Sequence, residues 1–131
     1  MTANQYKNII KWTAEQIGSE YAKETLYIVR ASLRNMGLYI PNGSYEQILQ
    51  VLSTNTYMNW RTCTPEDAQK AANDGKTVIG INPTAAFIIL PQDDQMGSKP
   101  VSAAATVAEI PPKYRPDIQY YSYEDKNSSQ L

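Results

Sequence analysis

Hydrophobic spacing in this chain changes period once, near Gly75, from the three-to-four-residue repeat of helices to the alternation and short apolar runs of strands. That order, helices first and strands second, constrains the fold more than any other feature. Tyr6, Ile9, Ile10, Thr13 and Ile17 fall at i, i+3, i+4, i+7 and i+11, which predicts an amphipathic helix stopped at Gly18. A second helix is expected from about Lys23 to Met36. Its Leu26, Val29, Leu33 and Met36 share a face that Ile28 widens, and Gly37 is placed to take the left-handed stop. A third begins after Asn42-Gly43: Ser44 can cap the Gln47 amide while Gln47 reaches back, and Ile48, Leu49 and Leu52 form the buried side. The fourth is short, with Thr64 as N-cap, Pro65 as first helical residue, Glu66 and Asp67 as first-turn acids and Asn73-Asp74-Gly75 as the stop.

After Lys76 four strands are expected, over 77–81, 85–90, 101–106 and 117–123, with turns at Asn82-Pro83, across 91–100 and at Pro111-Pro112. Connections this short leave no room for crossover helices, so the sheet should be mainly antiparallel. The 131 residues, 42% hydrophobic, suit one compact domain that can bury roughly 70% of its unfolded surface without metal or disulfide. The expectation is therefore a single α+β domain over 1–123, N-terminal helices packed on a small sheet, followed by a frayed polar tail over 124–131.

Composition removes several functions. Twelve basic side chains against 13 acidic ones, with no basic run, argue against nucleic acid, whose affinity comes largely from neutralised phosphates. No stretch approaches the ~18 apolar residues of a membrane span, so no membrane insertion is expected. The start, Met1 to Lys7, has no signal-like apolar region, which reads as cytoplasmic unless a signal was removed. There is no histidine, which takes away the commonest general base and the commonest metal ligand. Neither a metal nor a cofactor is expected.

A few residues remain as candidates. The single cysteine, Cys63, precedes the Thr64 cap, where a helix N-terminus can lower a thiol pKa; a free cysteine is more often a small buried hydrophobe. Thr25 stands at a helix start, where threonine usually caps. Of the paired acids, Glu66-Asp67 fit helix polarity, Glu124-Asp125 a solvated tail, and Asp93-Asp94 a turn or weak cation loop. Tyr114, Tyr120, Tyr121 and Tyr123 cluster late in the chain; on a strand Tyr121 and Tyr123 share a face and Tyr120 takes the other, either as core or as a surface for glycans or proteins.

Two stretches carry a resemblance. The first runs from Thr25-Leu26-Tyr27-Ile28-Val29 to Met36-Gly37 and on to Tyr39-Ile40-Pro41. The second runs from Trp60-Arg61 through Glu66-Asp67-Ala68-Gln69-Lys70-Ala71-Ala72-Asn73-Asp74-Gly75-Lys76-Thr77-Val78 to 85–91. Together they resemble the CHAP and NlpC-type amidase group of papain-like peptidoglycan hydrolases: its nucleophile helix, its tryptophan, its E-A-Q-x-x-A-N-x-G-x-x-V passage and its histidine-bearing strand. The resemblance implies a papain-like layout and places Thr25 where the family has its cysteine and Ala85 where it has its histidine. A thiolate–imidazole pair cannot be assembled from these residues. The resemblance therefore implies a catalytically inactive relative that binds peptidoglycan, a stem peptide or a protein partner, in a secreted or phage-associated role. Its cleft by resemblance would involve Thr25, Trp60, Cys63, Ala85, Tyr121 and Tyr123. The alternatives are an active amide hydrolase using Cys63 or carboxylates, and a structural or immunity-type interaction protein.

Overall fold

A computed structural model describes residues 1–17, 24–54, 57–92 and 101–124. The expected stop at Gly18, the helix start at Lys23, the Asp93-Asp94 loop and the tail beyond Glu124 lie outside them. Four helices form: α1 (Ala3–Gln16), α2 (Thr25–Asn35), α3 (Tyr45–Leu52) and α4 (Pro65–Asn73). Capping explains most of their starts. Thr2 and Gln5 form a reciprocal capping box on α1, Ser44 and Gln47 do the same on α3, and the Thr64 hydroxyl accepts the Asp67 amide at the start of α4. The start of α2 departs from expectation. Its N-cap is Glu24, which makes no side-chain cap bond, and Thr25 is the first helical residue.

The strands are β1 (Trp60–Cys63), β2 (Val78–Ile81), β3 (Ala86–Ile89), β4 (Ala104–Ala105) and β5 (Gln119–Tyr123), in the spatial order β1-β5-β2-β3-β4. The fold is α+β, as the period switch predicts. Two features correct the expectation. The sheet is mixed, because β4 runs parallel to β3 while the other three pairings are antiparallel. And β1 forms where no strand is expected: four residues between a 3-10 turn and a helix cap carry too short an alternation to stand out, and pairing with β5 makes the strand.

Register assigns the two faces of the sheet. Trp60, Tyr121, Ile79, Ile81, Ala86 and Ile88 face α1 to α3, together with Tyr6, Ile10, Leu26, Val29, Leu33, Ile48 and Leu52. Val78, Ala85, Phe87, Ile89 and Tyr120 face the other way, against Ala68 and Ala72 of α4 and Ile110. Tyr121 and Tyr120 therefore point to opposite faces, as the strand period requires. Gly80 makes room for the Tyr120 ring: a Cβ there would come 3.0 Å from its Cε1, so the ring would have to shift by a few tenths of an ångström.

Buried polar groups hold the connections. Asn82, 3% exposed, accepts from the Thr84 and Ala85 amides with Oδ1 and donates from Nδ2 to the Tyr114 carbonyl at 2.6 Å, closing the β2–β3 turn. Gln69 on α4 donates to the Leu90 carbonyl and accepts the Val107 amide, both at 2.9 Å. Asn73, one turn further, accepts the Gln92 amide at 2.8 Å. The two polar side chains of the α4 stretch that carried the resemblance thus clamp the exit of β3. Glu124 belongs to the ordered domain rather than to a tail, because its amide donates to the Asn59 carbonyl and its carboxylate pairs with Lys76 at 3.0 Å.

Candidate functional site

The start of α2 meets β3 directly. Thr25 Oγ1 accepts the backbone N–H of Ala86 at 2.9 Å and lies 3.3 Å from Tyr45 Oη. That phenol oxygen in turn accepts the Leu26 amide at 3.2 Å. Tyr45, the first residue of α3, thereby supplies the cap that Glu24 does not, closing one of the free amides of the α2 N-terminus. Between them the two hydroxyls share a hydrogen bond and satisfy two backbone donors. Among the described residues these hydroxyls bond to backbone amides and to each other.

Ala86, not Ala85, is the strand residue at this point. Ala85 turns to the α4 face and packs with Phe87 and Ala72, whereas Ala86, 1% exposed, faces α2. Strand alternation decides between neighbours, and a one-residue difference moves a side chain through the sheet. The small side chains Ala86 and Ala103 both lie in the core on this face, so the space against Thr25 is packed. Nothing in the sequence marks Tyr45 as a partner of Thr25; its only local signal is its place after the Ser44 cap.

The structure does not gather the other candidates here. Trp60 is fully buried, donates from Nε1 to the Tyr39 carbonyl at 2.8 Å and meets the half-buried Tyr123 edge-on at 5.4 Å between centroids. Tyr121, 1% exposed, is core. Trp60 and Tyr121 pack the domain, Tyr121 also bordering a groove with Leu49 and Gln119, and Tyr123 stays half-buried. Cys63 lies on the α4 side, half-buried beside Asp67, Lys76, Ser122 and Glu124. Burial, reinforced by the Asp67 carboxylate, pushes its thiol up to about 11. The activating effect of a helix start is outweighed, and at pH 7 the thiol keeps its proton.

An open groove of about 740 Å³ lies on the same face of the sheet. Register connects it to the Thr25 contact: Ala86 pairs with Ile81, Ile81 with Gln119, and Gln119 lines the groove. Glu46 and Leu49 of α3 line it together with Pro83 and Asp117. Among the described residues no group of three or more Cys, Asp or Glu side chains could hold a metal, and no helix is long and apolar enough to cross a membrane. No family model, curated protein or solved structure matches the chain.

Proposed function

We propose that this protein is a non-catalytic binding module built on a papain-like, amidase-related frame, taking peptidoglycan, its stem peptide or a protein partner as ligand. The observation that carries the reading is the contact of Thr25 with Ala86. Ala85, which the resemblance puts in the place of the base, turns to the opposite face of the sheet, and what meets β3 at the helix start is the residue it puts in the nucleophile's place. It is a threonine whose hydroxyl is occupied by a backbone amide and a tyrosine, and the facing side chain is a methyl group. A threonine nucleophile needs an adjacent base, and among the described residues none hydrogen-bonds the Thr25 hydroxyl. The alternative of an active hydrolase working through Cys63 is disfavoured by a thiol held at about 11.

Co-sedimentation of the full chain with insoluble peptidoglycan, with analysis of the supernatant for released muropeptides, tests the proposal. Binding without release is the expected result for a cell-wall ligand, and absence of both directs the search to a protein partner. Release of muropeptides overturns it.

A further inference from the structure

The groove between α3 and the start of β5 has a chemistry of its own, and an inference from it rests on the binding-module reading. Two carboxylates line it, Glu46 from α3 and Asp117 from the segment before β5. Neither is in a salt bridge among the described residues, and no lysine or arginine lines the groove. In a chain with 12 basic side chains against 13 acidic ones, that one-sided lining is local rather than a reflection of overall charge. The groove also carries apolar surface, from Leu49 and Pro83, beside amide and hydroxyl groups such as Gln119.

We infer that the groove seats a lysine or arginine side chain presented by an extended segment of a protein partner. Such a side chain has an aliphatic stem that suits the Leu49 and Pro83 surface and a cationic head that suits the two carboxylates. Gln119 lies at the β5 end, where its carboxamide can meet the backbone of the incoming segment. An anionic ligand is disfavoured, because it would enter against two uncompensated negative charges and find no cation. A neutral sugar would gain hydrogen bonds but nothing from the charge.

The test uses the 15N-labelled full chain at low ionic strength, titrated with two capped pentapeptides, Ala-Ala-Lys-Ala-Ala and its norleucine counterpart. The expected result is a set of amide shifts at Glu46, Gln50, Gln119 and their neighbours with the lysine peptide alone, suppressed by added salt. In the double variant Glu46→Gln with Asp117→Asn the apparent Kd should weaken about fivefold, the loss of two exposed charge pairs. Asparagine accepts the positive φ of 63° at position 117, so the turn is kept. Equal shifts from both peptides, no shifts, shifts elsewhere, or an unchanged Kd in the double variant overturn the inference. Competition by magnesium at equal ionic strength would reassign the groove to a metal cation and overturn it as well. Muropeptide release in the co-sedimentation experiment would instead defeat the non-catalytic reading while leaving a lysine-specific titration standing, so the two failures are separable.

Discussion

The backbone amide of Ala86 donates to the hydroxyl of Thr25 at 2.9 Å, joining the first residue of a helix to the first residue of a strand 61 positions later. That hydrogen bond adds a polar link between the N-terminal helical layer and the sheet to the apolar packing of α2 on β3. Tyr45 completes the closure by satisfying Leu26 and Thr25 together.

Those same donors would stabilise an anion. In a Thr25→Cys variant carrying Cys63→Ser, the new sulfur receives the Ala86 N–H and the Tyr45 hydroxyl at a helix N-terminus, all of which favour thiolate. Its pKa should fall at least about one unit below that of an ordinary cysteine, giving alkylation at neutral pH faster by about tenfold or more than that of the native Cys63. The pH dependence of iodoacetamide labelling measures this; a thiol titrating at or above the ordinary value would mean that burial dominates at the start of α2.

Gln69 holds two backbone groups at once, the Leu90 carbonyl and the Val107 amide. Gln69→Ala should cost about 2–3 kcal/mol, since both partners lie at the part-buried exit of β3 and lose a hydrogen bond. Gln69→Glu keeps an acceptor for Val107 but sets a carboxylate oxygen against the Leu90 carbonyl, so it should also destabilise. Urea titrations of the two variants decide; an unchanged midpoint in both would show the clamp to be dispensable.

Ser32 is fully buried in α2, and among the described residues its hydroxyl has no hydrogen-bond partner. An unsatisfied buried hydroxyl costs about 1–3 kcal/mol, and alanine is also the better helix former. Ser32→Ala should therefore raise the Tm by several degrees, read by circular dichroism. A lower Tm would reveal a role for the hydroxyl that the packing does not.

Alkaline stability should depend on Cys63. Its ordinary value of 9.0 is raised to about 11 in the folded state, so between those values the native thiol keeps a proton that the unfolded one releases. Stability is then fully present below about 9 and falls as pH rises towards 11. Burial raises Tyr120 and Tyr121 in the same direction. Replacing Cys63 by serine should flatten the first part of this decline in urea midpoints collected across that range. An unchanged slope would assign the alkaline loss to the tyrosines.

Local chemistry was legible at the starts of α3 and α4 and at the ends of α2 and α4, but not at the start of α2. Ser44 with Gln47, and Thr64 with Pro65, start their helices where side-chain capping requires, and Gly37 (φ 81°) and Gly75 (φ 95°) take the left-handed conformation at the ends of α2 and α4. The strands over 78–81, 86–89 and 119–123 fall within the expected runs, and the opposed faces of Tyr120 and Tyr121 follow from a period of two. Each of these depends on residues within a few positions of one another, so one-dimensional spacing carries the information.

The sequence by itself determined an α+β order, the caps of α3 and α4, the glycine stops of α2 and α4, and a chain without histidine. Tertiary structure alone decided that 60–63 become an edge strand, that β4 joins in parallel, that Ala86 rather than Ala85 meets Thr25, and that Tyr45 caps a helix 19 residues before it. It also decided that Cys63 is held as a thiol and that Glu46 and Asp117 line one groove. The division has one physical cause. Capping and hydrophobic period are set by neighbours along the chain, whereas strand register, burial and the meeting of distant polar groups exist only once the sheet has paired and the helices have packed on it.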